Sequence, residues 1–324
     1  PSVWRNNSEG FPQSLILSTA FPTANVNITT ADGTYNQDFT LGAGVPLDVA
    51  LNTQLIATNQ VNTPERNKGL IITSDVPITP VYRITNNSNR VLANLKGNSA
   101  LGRSFRLATP VRADGNGGAQ ERHYFSIMAT EDNSVITIDD SPFPLRGIVL
   151  PFTFTLNAGE TIMMHPDDDD DHLTGTLIVS DNPISVITGT QHTEAQNTTA
   201  SEGASDVVIP FTRLGQDYVC IRGGFPNSIH DYVMVVAVLD GTQVFLDNIP
   251  FPQATLAAGD FTLIELTGNR GDPHYIQATK DVYAYHVSGI ANNGGEFGMA
   301  VLPPVSSVSC TGSKQVIVPK FNGG

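Results

Sequence analysis

Apolar residues alternate with polar ones along this chain in short, β-branched runs. Ser134-Val-Ile-Thr-Ile138 and Gln243-Val-Phe-Leu246 are examples, each bounded by Asp, Asn or Gly. A period of two predicts strands with one buried face. Almost nothing has the spacing of a helix. Runs of this kind open at Ala24-Asn-Val-Asn-Ile-Thr29, Glu131-Asp-Asn-Ser-Val-Ile-Thr137 and Leu239-Asp-Gly-Thr-Gln-Val-Phe245. The Asp-Asn and Asp-Gly pairs suit tight turns, since these residues tolerate positive φ.

The same phrases recur. Phe39-Thr-Leu-Gly-Ala-Gly44 returns as Phe154-Thr-Leu-Asn-Ala-Gly159 and as Ala254-Thr-Leu-Ala-Ala-Gly259. Behind each follows a second phrase: Gly69-Leu-Ile-Ile-Thr-Ser-Asp75-Val-Pro77, Gly175-Thr-Leu-Ile-Val-Ser-Asp181-Asn-Pro183, and Tyr275-Ile-Gln-Ala-Thr-Lys-Asp281-Val. The aspartates lie 106 and 100 residues apart, the size of a domain. A third echo, Leu101-Gly-Arg-Ser-Phe-Arg106 and Leu214-Gly-Gln-Asp-Tyr-Val219, leads into the following repeat. Pro77 and Pro183 cannot donate to a ladder and are expected at a strand start or edge. The fold class expected is all-β, with three tandem homologous β-sandwich-like units packed together. Their expected bounds are 1–112, 113–222 and 223–324. The joints near 113–118 and 223–224 are too short for flexible linkers.

Composition supports this reading. The chain has 324 residues, 40% of them hydrophobic and only 15% charged, with 29 Gly and 21 Pro. The net charge is −14 and no Lys/Arg cluster exists, which argues against nucleic acid and anionic lipid. No stretch approaches the roughly 18 apolar residues of a membrane span, so no membrane insertion by this segment is expected. No signal peptide is visible at Pro1, which reads as a processed start. Low Lys content with much Thr, Asn and Gly fits an exported, extracellular protein. Cys220 and Cys310 flank the third repeat. A disulfide between them would tie its start to its end; two unrelated buried thiols are the alternative.

One ordered set of phrases resembles a known family. It runs through the Ala158-Gly-Glu160 joint, Leu173-Thr-Gly-Thr-Leu-Ile-Val-Ser-Asp-Asn-Pro-Ile-Ser-Val-Ile-Thr-Gly189, Ser205-Asp-Val-Val-Ile-Pro210 and Leu214-Gly-Gln-Asp-Tyr-Val219. Together these resemble the IgGFc-binding protein N-terminal domain family over roughly residues 13 to 320. The family occurs in animal mucin-associated secreted proteins and in large exported bacterial proteins. The ending Leu302-Pro-Pro-Val-Ser-Ser-Val-Ser-Cys-Thr-Gly-Ser313 resembles that of bacterial members, including surface adhesins of gliding Bacteroidetes. The resemblance implies a secreted binding module. Cysteines expected beside Ser205-Asp206 in animal members are absent here, which argues against carrying over immunoglobulin binding.

The loudest local signal is His165-Pro-Asp167-Asp168-Asp169-Asp170-Asp171-His172. It fills a slot behind the second Ala-Gly joint. Gly268-Asn-Arg-Gly-Asp272-Pro-His274 and Asn59-Gln-Val-Asn-Thr-Pro-Glu-Arg-Asn67 fill the same slot in the other repeats. A variable loop on a fixed scaffold is a usual place for binding residues. Three readings stay open for the acidic run: a solvated loop, Ca²⁺ held by Asp167, Asp169 and Asp171, or a transition metal using His165 or His172. His192 stands where a loop emerges and joins Asp272 and His274 as a loop candidate. No Gly-x-Ser-x-Gly elbow or His-Glu-x-x-His occurs, and no catalytic residue is assigned.

The function expected is a non-catalytic extracellular adhesion module that recognises glycan or protein ligands through variable loops. Partners would be a cell-surface ligand or other copies of the chain. A structural stalk or fibre subunit is the alternative.

Overall fold

The computed structural model describes residues 3–4, 13–51, 57–85, 90–111, 123–194, 201–223, 230–290 and 298–305. Residues 113–118 and 224, where joints were expected, lie outside these. The described residues form strands and two short 3-10 turns, at Gly97–Ala100 and Phe211–Arg213. No helix among them is long and apolar enough to cross a membrane.

Three sets of strands repeat one pairing order. The first contains β2 (Gln13–Ser18), β3 (Thr23–Thr29), β4 (Asn36–Gly42), β5 (Leu47–Leu51), β7 (Ile71–Ser74), β8 (Thr79–Thr85) and β9 (Arg90–Asn94). They make two sheets, β5-β2-β8-β9 and β4-β3-β7. Beside them β1 (Val3–Trp4) pairs in parallel with β6 (Ala57–Thr58). The second set contains β10 (Gly102–Arg106), β11 (His123–Ala129), β12 (Ser134–Asp140), β13 (Phe152–Leu156), β14 (Thr161–Met164), β15 (Leu177–Glu194) and β16 (Ser201–Val208). Its order is β13-β12-β15-β11-β14, with β10 and β16 also on β15. The third contains β17 (Gly215–Ile221), β18 (His230–Ala237), β19 (Thr242–Leu246), β20 (Ala254–Leu256), β21 (Phe261–Glu265), β22 (Pro273–Ile290) and β23 (Gly298–Val301). Its order is β20-β19-β22-β18-β21, with β17 and β23 on β22. The echo strands β10 and β17 thus pair with the set that follows them, whereas the bounds expected from sequence placed them at the end of the unit before.

The Ser-Asp-x-Pro phrase is where the chain changes layer. In the first set it separates β7 from β8. In the second it lies inside β15, whose residues up to Ser180 pair with β12 and whose residues from Ile184 pair with β11. Pro183 falls between the two ladders, where no N–H is required. Asp75 Oδ1 accepts the Asn25 amide at 2.8 Å, and Asp181 Oδ1 accepts the Val135 amide at 2.8 Å. The third set corrects the alignment read from sequence. Its equivalent acceptor is Thr279, whose Oγ1 takes the Gln243 amide at 3.0 Å, and Asp281 stands two residues further on. Asp281 instead takes a hydrogen bond from Gln216 Nε2 at 3.2 Å.

The cores run across the sets. Leu15, Leu17, Val26, Ile28 and Leu41 of the first set cluster with Tyr124, Met163 and Ile187 of the second. Phe105, Ile127, Ile136 and Ile178 of the second cluster with Met234, Val236, Tyr283 and Tyr285 of the third. Every residue of β11 is buried, as are Val233 to Ala237 in β18. The one-buried-face expectation therefore fails at these two strands. Each has one face in its own sandwich and the other against the preceding set. Their near-continuous apolar runs are what such burial requires.

Backbone close approach fixes the fit. The second Ala-Gly turn puts Gly159, at φ 77°, where a Cβ would lie 2.5 Å from Ala31 Cβ of the first set. The third puts Gly259, at φ 92°, where a Cβ would lie 2.9 Å from Arg106 Nη1 of the second. Arg106 is itself buried, which lowers its guanidinium pKa, and its Nη1 donates to the Gly175 carbonyl at 2.6 Å.

One buried carboxylate joins all three sets. Asp206, on β16, is paired with Lys96, which follows β9 of the first set. Its Oδ1 also takes the Val207 amide at 2.8 Å, and its Oδ2 takes the Val301 amide of β23 at 3.0 Å. Lys96 Nζ donates as well to the Val207 carbonyl at 2.7 Å. Removing one partner leaves the other charged and desolvated. Asp206→Ala is expected to destabilise the protein by about 3–5 kcal/mol in denaturant unfolding. A double-mutant cycle with Lys96→Met should give a coupling of about 1 kcal/mol or more; additive effects would refute the tie.

Candidate functional site

The slot behind each Ala-Gly joint holds a loop, and the structure gives the three loops different work. In the first set the loop lies along the edge of β14 in the second set. Glu65 and Thr161 exchange both backbone hydrogen bonds, at 2.8 and 2.9 Å, and the Asn62 amide donates to the Met163 carbonyl at 2.9 Å. Backbone pairing of this kind needs no particular side chains, so sequence could not announce it. This loop is an inter-set contact.

The second loop carries the acidic run. Its start is fixed by the segment after β12: the Asp167 amide donates to the Pro144 carbonyl at 2.9 Å, and Arg146 Nη2 donates to the Asp167 carbonyl at 2.8 Å. A local turn follows, with the Asp170 amide on Asp168 Oδ1 at 3.1 Å. Asp167, Asp168 and Asp170 are exposed, whereas Asp169 and Asp171 are half-buried. Burial, then the charges of Asp168 and Asp170, raises the Asp171 carboxyl pKa. The run thus presents three outward carboxylates rather than a convergent cage. Among the described residues no three His, Cys, Asp or Glu side chains group as a metal site.

The two histidines that bracket the run are buried. His165 Nδ1 faces the Pro166 carbonyl at 2.7 Å, and burial lowers its pKa. His172 lies edge-on between Phe143 and Phe261, with ring centroids 5.0 and 5.3 Å away. Phe261 belongs to the third set, so His172 fills an inter-set aromatic seam. Burial, with a smaller push from His123, lowers its pKa to about 4.

In the third loop, Gly268 and Gly271 take positive φ. Asp272 Oδ2 accepts the Asn269 amide at 2.6 Å, and the Asp272 carbonyl accepts the Arg222 amide at 2.9 Å. His274 is buried, with Nδ1 facing Asp247 Oδ2 at 2.8 Å and Nε2 facing the Thr267 carbonyl at 2.9 Å. Both residues hold the loop's shape. The structure therefore does not gather the candidate residues into one place.

His192 falls near the end of β15, and its side chain lies outside the described residues. Cys220 is buried on β17, where burial, reinforced by Asp231, pushes its thiol pKa up to about 12. Cys310 lies outside the described residues. Sequence reading passed over Asp206 and Asp231 as individuals. Asp231 is buried, takes the Gly223 amide and stands 3.5 Å from His286 Nε2. A lone carboxylate inside an apolar run, as in Ser205-Asp-Val-Val-Ile209, was the available signal for the first.

The His172 seam has a consequence for pH. The folded-state pKa lies below the ordinary value, so the unfolded chain binds the proton better. The contribution of His172 to stability is expected to be full above about pH 6.5 and to fall by up to about 3 kcal/mol as pH drops toward 4, then to level off. His172→Leu should flatten this slope relative to the parent in unfolding curves between pH 4 and 7. An unchanged slope would place the titration elsewhere.

No curated protein and no solved structure matches this chain. A family described as IgGFc binding protein matches residues 92–321. The match opens within β9 and takes in the second and third sets, with the Asp206 junction and the loops of residues 165–172 and 267–274. On that match, the chain belongs to the IgGFc binding protein family.

Proposed function

We propose that this chain is a non-catalytic, extracellular binding module that recognises a protein or glycan on another surface. The family match over residues 92–321 carries this reading. The acidic character of the chain, net −14, and the three outward carboxylates at Asp167, Asp168 and Asp170 support a ligand with a basic face. The neighbouring Arg146 Nε stands 3.8 Å from Asp167 Oδ1. Because the loop's ends are tied to the segment after β12 and to Phe261, the acidic tip is held in one place. Such anchoring lowers the ordering cost of binding.

A structural role has its own support. Shared cores between successive sets make the strand array stiff, which suits a spacer that holds other segments apart. The two readings are compatible in one protein.

The test is binding of the purified chain to immobilised mucins, cell-surface proteins and glycans. Saturable binding that weakens with salt is expected. Replacing Asp167, Asp168 and Asp170 together by Asn should weaken it about tenfold. Calcium is tested in a separate arm. Binding is expected to persist in chelator, since the carboxylates do not converge, and chelator-sensitive binding would assign calcium to the Asp167–Asp171 run. Absence of saturable binding on every surface would leave the spacer reading alone.

A further inference from the structure

The third set carries an apolar surface at the place where the first two sets receive a neighbour. Strand register defines the equivalence. Arg106 pairs with Leu177 in the second set as Val219 pairs with Tyr275 in the third. Ile138 opposes Ile178 as Leu246 opposes Ile276. In the second set this corner is covered. Gly259 closes on Arg106 and Gly175, and the Tyr283 hydroxyl takes the Arg106 amide at 3.3 Å. Phe143, in Pro142-Phe-Pro144, joins the cover through His172 and Phe261. The first set is covered in the same manner, by Gly159 against Ala31 and Ile71.

In the third set the corresponding side chains are bare and more apolar. Val219, where Arg106 stands in the second set, is 46% exposed, and Ile221 beside it is 58% exposed. Phe251, in the matching Pro250-Phe-Pro252, is 64% exposed. Tyr275 and Ile249 continue the patch, half-buried. Exposed apolar side chains gathered in this way, with Asp217 at their edge on the Tyr275 hydroxyl, mark an interaction site.

We propose that this corner of the third set is a docking surface for a further β-sandwich unit. That unit would present an apolar sheet face and a close-approaching glycine turn, as the second set presents Tyr124, Met163 and Gly159 to the first. A second copy of this chain does not fit. Its own first set carries Ser14 and Asp48 at the positions of Tyr124 and Met163, and Arg83 at that of Gly189, around a Val81 that matches Ile187 and is already buried. Arg83 pairs with Asp48 and donates from Nε to Ser14 Oγ at 3.1 Å. Pressing that ion pair onto Val219 and Ile221 would desolvate it without a new partner. The array is therefore directional, with an ion pair on the outer face of its first set and an apolar receiving corner on its third. This inference is independent of the ligand carried by the acidic loop.

The test appends a second copy of residues 215–305 behind residue 305 of the chain. That added unit brings the apolar face of β18, β21, β22 and β23. Hydroxyl-radical footprinting then reads the first copy's Val219, Ile221, Phe251 and Tyr275. Their labelling is expected to fall about fivefold when the added unit folds onto them. Val219→Lys with Ile221→Lys in the first copy should restore the labelling. In the chain without the added unit, the same pair should shift the melting temperature by no more than about 2 °C, since both positions are solvent-facing. An added unit that folds but leaves labelling unchanged overturns the proposal, as does one that stays unfolded beside the bare corner. Equal destabilisation of both chains by the lysines would also overturn it.

Discussion

Asp206 is the polar point on which three sets of strands meet. A buried carboxylate is costly unless every lone pair finds a donor, and here the donors come from three places in the sequence: Lys96, Val207 and Val301. The Val207 contact is local, but those of Lys96 and Val301 are both made only when β9, β16 and β23 have arrived together. The ion pair thus adds little by attraction alone and much by registry. Wrong docking of either neighbour leaves a charge buried without a partner.

The apolar counterpart of that constraint is the double burial of β11 and β18. A sheet with core on both faces cannot be stable as a solvent-facing surface, so each set depends on the set before it. Neighbour-dependent stability of this kind makes the strand array a stack whose interfaces carry folding energy. The turn glycines allow the stack to close. At Gly159 and Gly259 the left-handed backbone and the absence of Cβ let one set's turn touch the preceding set. The same side chains that make this fit also limit what the loops can offer a ligand. The first loop is spent on the edge of β14, and His172 is spent on Phe261, while Asp167, Asp168 and Asp170 stay exposed.

The sequence located the Ala-Gly turns and the Ser-Asp-x-Pro bends of the first two sets because they are local. An Ala-Gly turn and a Ser-Asp-x-Pro bend are specified by backbone requirements of adjacent residues, and both recur in each set that carries the phrase. The third bend misled. Asp281 matched Asp75 and Asp181 by letter, while Thr279 performs their hydrogen bond. An oxygen acceptor can come from a hydroxyl or a carboxylate, so residue identity was a poor guide to register. The acidic run misled in another way. Its charge made the bracketing histidines look like ligands, although His172 is neutral and apolar in its surroundings because of Phe143 in one turn and Phe261 in the following set.

What the chain determined by itself was its strand content, its turns and its threefold recurrence, since alternation, β-branching and glycine placement act over a few residues. Only the tertiary structure decided which faces are buried twice, which loops become contacts, and that Asp206 binds three sets together. Those outcomes depend on pairs more than a hundred residues apart, such as Lys96 with Asp206 and Arg106 with Gly259. Distance in sequence carries no signal for such contacts; desolvation and steric fit select them only once the strands have packed.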